Sequence, residues 1–524
     1  MRGRFVLLFL LVLPVATGAQ EGGHQLTLVG YLKASNPGED DHLGAGDALT
    51  GVTLAVSRDG ATLVVGAPKE DSAASGINGN QDDDSANDAG AAYVFARSGA
   101  SWSQQAYVKG SNTRSSDGFG FAVALSGDGS TLAVSANFED SAATGVNSTQ
   151  RDEGADGAGA VYVFRRRGAT WLQQAYVKAS NTAAGDRFGY SLALSDDGNT
   201  LAVGAIGEDS GAAGVNGNQS DNAAEQAGAV YVFSREGATW SQQAYVKASN
   251  AQAGDLFGFC VALDRSGTTL AVCGYDEDSS AQGVNGDQGS NMSNGSGAAY
   301  VFVRRGATWT QQAYIKASNT TLQAAFGAAV ALSADGNTLA VCAVDEDGVT
   351  PGVNAAPWQA DRRPEERTRI AEASAGAVYV YGRTGDAWAF QAYIKPSNIR
   401  SNDVFGARLA LNADGSVLAA GAPQQTGGGR GLNPSQADFS APESGAVYVF
   451  TRAGSQWSQS AYVKAPNAQE YDLFGSGVAI SGNGRILAVG AMGEDSGARG
   501  VGGNQADNSL RDSGAVYVYG VRPR

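Results

Sequence analysis

The sequence predicts an all-β fold: a seven-bladed β-propeller of four-stranded antiparallel meanders, its ring closed by an N-terminal strand that completes the last blade. Three observations carry this. One unit recurs seven times, with Tyr31, Tyr107, Tyr176, Tyr245, Tyr314, Tyr393 and Tyr462 in register and most copies 69 residues apart. Each unit is a set of short period-two apolar segments separated by turn residues. The two ends of the chain are complementary: the last copy ends at Gly520 without the W-x-QQAYVK segment, and LTLVGYLKASN (26–36) is that segment without its Trp.

The copy from Trp171 to Phe233 shows the elements in order. WLQQAYVKASN reads as a fourth strand, and RFGYSLALS as the first strand of the next sheet. Asp197-Gly198 then asks for a tight hairpin. TLAVGA follows as the second strand, an Asp/Asn/Gly-rich loop comes next, and AGAVYVF is the third strand. The hairpin dipeptide recurs as Asp59-Gly60, Asp128-Gly129, Ser266-Gly267, Asp335-Gly336, Asp414-Gly415 and Asn483-Gly484. A lone meander cannot bury both faces, so seven of them are expected to pack radially. The competing reading is an open solenoid, which would need atypical end caps that the sequence does not show. The expected blades are 43–111, 112–180, 181–249, 250–318, 319–397, 398–466, and 467–520 with 24–36.

Composition narrows the class. Of 524 residues 43% are apolar, enough for a sizeable core, and 73 Gly against 12 Pro without a G-X-Y period read as tight turns. The net charge of −16 disfavours nucleic acid or an anionic membrane as partner and leaves cations, glycans and proteins. Arg2 and Arg4 ahead of the apolar run Phe5–Leu13, with Thr17 and Ala19 after it, have the layout of a secretory signal peptide over 1–19. The expectation is therefore one secreted, monomeric propeller over 20–524 with no membrane span.

Phe119-Gly120, Phe188-Gly189, Phe257-Gly258, Phe326-Gly327, Phe405-Gly406 and Phe474-Gly475 each precede a Gly-Ala or related segment, such as Gly66-Ala67-Pro68 or Gly421-Ala422-Pro423. This resembles the FG-GAP repeat of the integrin alpha-subunit propeller, and more closely the secreted integrin-alpha-like FG-GAP repeat proteins. The resemblance implies the propeller fold over the whole mature chain. It does not carry over the calcium loop D-x-D-x-D-G-x-x-D that integrins place after the FG strand. Here that loop has shrunk to turns such as 195–200, with one or two carboxylates against the six to eight oxygens calcium takes. Blade one reads Thr50-Gly51 in place of Phe-Gly, with seven extra residues before it, and Ser135, Cys273 and Cys342 replace the first Gly of Gly-Ala.

In a meander the 1–2 and 3–4 turns share one face of the ring, and the long 2–3 and 4–1 loops share the other. The first face is expected to collect arginines, including Arg166, Arg235, Arg304, Arg383 and Arg452. The second collects the acidic Glu-Asp loops. Two readings compete for these. As cation or polyol sites they offer Asp71, Asp140, Asp209, Asp278, Asp347 and Asp495, with Asp209, Asn216, Asn218 and Asp221 as the best-spelled oxygen cluster and calcium as the ion. As architecture, their side chains hold the loop backbone, with lysines such as Lys178 and Lys247 as countercharges. The recurrence from blade to blade favours architecture; blade six, with Gln425-Thr426, should lack whatever the others hold.

Blade five has a longer 2–3 loop with Trp358, Arg362, Arg363, Arg367 and Arg369, residue types enriched at binding hot spots; the alternative is a tolerated surface excursion. Counting outward from Ser266-Gly267 sets Cys260 opposite Cys273, close enough for a disulfide, with two small buried hydrophobes as the alternative reading and Cys342 free. Sequons occur at Asn147, Asn218, Asn291, Asn294 and Asn319, glycosylated if the host is eukaryotic.

Catalysis finds little support, since His24 and His42 lie in no nucleophile motif and the carboxylate pairs recur in most blades. The chain is read as no enzyme. The leading expectation is a recognition or adhesion module that binds an extracellular protein or matrix ligand on the acidic loop face, with calcium supporting the loops. The alternative is a multivalent glycan-binding propeller, and a glycan-processing enzyme stands third.

Overall fold

Alternation of apolar residues on strands buried on both faces produces seven sheets whose cores lie between them. The structure is a computed structural model described over residues 25–46, 51–355 and 374–522, so the expected signal peptide and Trp358, Arg362, Arg363, Arg367 and Arg369 lie outside the described residues. In blade three the strands Phe188–Leu194, Thr200–Ala205, Ala229–Glu236 and Thr239–Val246 follow one another outward from the central channel, all antiparallel. Leu201, Val203, Tyr231 and Phe233 pack back onto blade two. The alternate residues Ala202, Val230 and Val232 pack forward onto blade four. Period two thus sends one set of side chains to each neighbouring blade.

The ring closes as expected. The N-terminal strand Gln25–Leu32 pairs with Ala515–Arg522, setting Tyr31 opposite Tyr517, and completes the sheet that begins at Phe474–Ile480. At the hairpin end of the channel the turns also link to one another through backbone hydrogen bonds. Arg58 N–H donates to Gly127, Gly127 to Asp196, Asp196 to Arg265, Arg265 to Ala334, Ala334 to Ala413, Ala413 to Gly482, and Asn483 returns to Arg58. Arg58 and Arg265 both pair with the Asp196 carboxylate across this end.

The Phe-Gly spelling has a steric cause. Gly258 has φ 95° and lies against the preceding blade, where an added Cβ would sit 2.6 Å from the Ala229 carbonyl oxygen and 3.2 Å from Gly204 Cα. Gly204 is the first Gly of the preceding Gly-Ala, and a Cβ there would meet the Gly258 carbonyl oxygen at 2.1 Å. FG of one blade therefore seats on GA of the blade before it. The same contact corrects the reading of blade one. Leu43-Gly44 holds the FG position there: Leu43 N–H donates to Ser513 O as Phe257 N–H donates to Ala227 O, and a Cβ on Gly490 would lie 2.3 Å from Gly44 O. Leu43-Gly44 is the pair that packs on blade seven, so the extra residues follow the motif instead of preceding it.

The long loops return to their own sheet. Val215 bridges Val246 on the outer strand, and Asn216, at φ 58°, clips Tyr245 on both sides. Its N–H donates to Tyr245 O at 2.7 Å and its Oδ1 accepts from Tyr245 N at 3.0 Å. The Val-Asn stretch is thus a protected edge. In blade five it is long enough to form a fifth strand, Gly352–Val353.

Candidate functional site

On the loop face the recurrent Glu-Asp pairs split into two jobs. Glu208 is buried and accepts from Tyr245 Oη at 2.7 Å, from Lys247 Nζ at 2.8 Å and from Asn181 Nδ2 at 3.0 Å; Asn181 in turn accepts from Tyr231 at 2.6 Å. Tyr245 and Lys247 come from the YVK strand of the same blade, and Asn181 from the loop leaving the previous one. The carboxylate therefore fastens sheet, loop and neighbour together. Equivalent buried pairs are Lys109–Glu70, Lys178–Glu139, Lys316–Glu277, Lys395–Glu346 and, across the ring closure, Lys33–Glu494. Burial pulls the Lys247 ammonium below its usual range, and the Glu208 charge opposes this. In blade six Gln425 replaces the acid, so Lys464 has only Gln425 Oε1 at 3.2 Å and Ser444 Oγ at 2.7 Å, and burial brings it down to about 7.

The neighbouring aspartates cap backbone. Asp209, Asp140, Asp278 and Asp495 accept from the N–H of Gln226, Gly157, Gly295 and Asp512, and Asp71 from that of Asp88. Asn218 and Asp221 cap Ser220 and Ala223 within the loop. The nominated oxygens are thus dispersed along the loop, and among the described residues no group of three or more His, Cys, Asp or Glu side chains is placed to hold a metal ion. Asp347 likewise caps the Ser374 backbone, and it also lines a cavity of about 900 Å³ between blades four and five, together with Tyr275, Met292 and Asn294.

Of the sequons, Asn147, Asn218, Asn291 and Asn294 are exposed, whereas Asn319 is drawn into the blade-five clasp by Glu346 and Tyr379. The expected Cys260–Cys273 disulfide is not formed. All three cysteines are free and buried. The Cys260 and Cys273 thiols are neighbours but unbonded, and the Cys260 thiol donates to Gly327 O of the next blade at 3.1 Å. On the hairpin face the arginines stack on the fourth-strand tryptophans: Arg235 lies 5.3 Å from the Trp240 ring, whose Nε1 donates to Gln174 of the previous blade.

A second recurrent acid escaped the sequence reading. Asp41, Asp117, Asp186, Asp255, Asp403 and Asp472 stand two residues before the FG or Leu-Gly pair, and each accepts from the backbone N–H three residues earlier. Burial raises Asp117, Asp186, Asp255 and Asp403 to about 7, and Asp41 and Asp472 to about 8. A carboxyl whose folded value lies above its unfolded value near 4 stabilises most below that value, and the contribution is lost as pH rises through the folded one. Lys464 acts at higher pH, and Asp59, Asp128 and Asp197, held below the usual range, act only toward pH 3. The melting temperature is expected to fall between pH 5 and pH 8 in calorimetry; a flat or rising profile there would show these carboxyls ionised at no cost.

What remains after the repeated chemistry is removed is the channel mouth. Two residues after Phe, blades two, three and four carry Phe121, Tyr190 and Phe259, where blades five, six, seven and one carry Ala328, Ala407, Ser476 and Ala45. Phe121 and Tyr190 rings lie 5.3 Å apart, Tyr190 and Phe259 5.3 Å, and Phe259 stacks on Tyr275 at 4.4 Å. The arc joins the blade-five cavity, which Tyr275 lines, to a cavity of about 620 Å³ over blades one to three, which Phe121 and Tyr190 line. The signal was available as departures from the repeat at otherwise regular positions.

Fold and site define a seven-bladed β-propeller with an asymmetric mouth on its loop face. The FG-GAP repeat matches residues 102–164, 171–233, 240–302 and 457–519, so the chain carries FG-GAP repeats in four of its blades. No curated protein matches it. Among solved structures it is similar to Kuenenia stuttgartiensis hydrazine synthase, at 11% identity and TM-score 0.45, over 84% of this chain and 92% of that one. It is also similar to the RRP9 WD40 repeats, at 9% identity and TM-score 0.42, over 94% of this chain and 100% of that one.

Proposed function

We propose that this propeller is a secreted recognition module without catalytic activity, which seats its ligand on the loop face across the channel mouth. The observation that carries the reading is the aromatic arc from Phe121 to Tyr275, which breaks the sevenfold repeat and connects two cavities. Ring faces at a concave mouth give large contact area at low entropic cost. The Glu-Asp loops, nominated as cation sites, serve in this reading as the frame that holds the mouth open, because their oxygens engage the blade's own N–H, Lys and Tyr groups. Phe259 is the residue to test, since it lies mid-arc and is only partly buried. A panel of matrix proteins and glycans probed with wild type and Phe259→Ser is expected to show a ligand whose binding drops at least tenfold in the variant at unchanged fold. Full binding by a folded variant would place the ligand elsewhere.

A further inference from the structure

The 620 Å³ cavity at blades one to three is lined by one buried side chain whose polar atoms have no partner. Asn137 follows Ser135-Ala136 at the position that is Pro68, Ile206, Tyr275, Val344, Pro423 and Met492 in the other blades, so it is the one carboxamide of the seven. It is 0% exposed, and neither its Oδ1 nor its Nδ2 has a hydrogen-bond partner. A buried amide left in this way is costly, and a native structure that keeps one asks for a reason. The adjacent Phe138 departs from the repeat as well. Its ring is 40% exposed with the Arg187 guanidinium 5.2 Å from its centroid, while the Tyr190 and Phe121 rings form the wall toward the channel.

We propose that this cavity is a binding site for a neutral pyranose sugar, read by the Asn137 carboxamide and by the Phe138 and Tyr190 ring faces. The proposal rests on the recognition reading above and gives it a ligand class. The lining excludes the alternatives in turn. An anion would face Asp88, Asp140 and Asp156, a cation would face Lys69 and Arg187, and a wholly apolar ligand would leave Asn137 unsatisfied. A pyranose is uncharged, has a C–H face that lies on an aromatic ring, and carries adjacent hydroxyls that can accept from Nδ2 and donate to Oδ1 together. The volume is within the range of small-ligand sites. Phe138 lies exposed at the rim, next in sequence to the buried amide, and offers the ligand its ring face.

The test is calorimetric titration with free glucose, galactose, mannose and N-acetylglucosamine, and with a polysaccharide ending in whichever sugar binds. Wild type is expected to bind at least one free sugar, and Asn137→Leu to weaken it at least tenfold. That variant fills the site as Ile206 and Met492 do in their blades, so its melting temperature should hold or rise. Phe138→Ala is expected to weaken the same sugar through loss of the stacking face. No binding of any free sugar, binding of the polymer alone, or an unchanged affinity in Asn137→Leu would each overturn the proposal. Phe259 is outside this cavity, so a ligand lost in Phe259→Ser but indifferent to Asn137→Leu would end the sugar assignment and leave the recognition reading intact.

Discussion

Replacing Glu208 by alanine is expected to destabilise the propeller by about 3–5 kcal/mol, the usual cost of removing one partner of a buried ion pair. Lys247 would be left buried with no carboxylate, and Tyr245 Oη and Asn181 Nδ2 would lose their acceptor at the same time. Because Asn181 belongs to the loop that enters from blade two, the damage should reach the contact between blades. Denaturant unfolding measures it, and a loss below about 1 kcal/mol would mean that water replaces the carboxylate freely. Blade six supplies the converse. Lys464 there sits at about 7, well below the value near 10.4 of an unfolded chain. A depressed amine gives stability above its unfolded value that is lost as pH falls through the folded one, so Lys464 is a liability at pH 7. Gln425→Glu is expected to raise the Lys464 value, stabilise the protein at pH 7 and reduce the gain in stability between pH 7 and pH 10. A destabilised Gln425→Glu would show that the blade-six loop cannot bring its acid to Lys464.

The second large effect is expected from Gly258→Ala, at about 2–5 kcal/mol. Two terms add. The backbone has φ 95°, which a residue with a Cβ adopts only under strain, and the new methyl would lie 2.6 Å from the Ala229 carbonyl oxygen. Neither can relax alone, since moving the first strand of blade four opens its seat on Gly204. Gly254→Ala is the control for the conformational term: φ is 86° there, but no atom of the fold lies within 4 Å of the added Cβ. It should cost clearly less. Equal losses in the two variants would remove the close approach between blades as the reason for the glycine.

The blades, their order and the closure by residues 26–36 were legible because each rests on local pattern: period-two apolar runs, Asp-Gly hairpins and a repeat in register. The recurrent Glu and Lys were visible as text, but their pairing was not. Glu208 and Lys247 are 39 residues apart and meet only because the loop folds back onto the outer strand of its own sheet. The Cys260–Cys273 pairing failed for a related reason. Counting along the hairpin does bring the two thiols together, but a single hairpin does not contain the Gly327 carbonyl of the next blade, to which the Cys260 thiol donates. Thr50-Gly51 looked like the blade-one motif until the contact with Gly490 identified Leu43-Gly44.

The sequence by itself determined that this chain repeats a four-stranded unit seven times and closes it, since strand period and turn chemistry act over a few residues. Tertiary structure alone decided which polar groups the fold consumes and which it leaves over. Repetition makes all Glu-Asp loops read alike, and only contacts across blades show that their carboxylates are engaged while Asn137, one residue in a regular second strand exit, is not. Burial and partnership are properties of the assembled ring, so the candidate site emerged where the repeat is broken and the interior leaves a polar group unpaired.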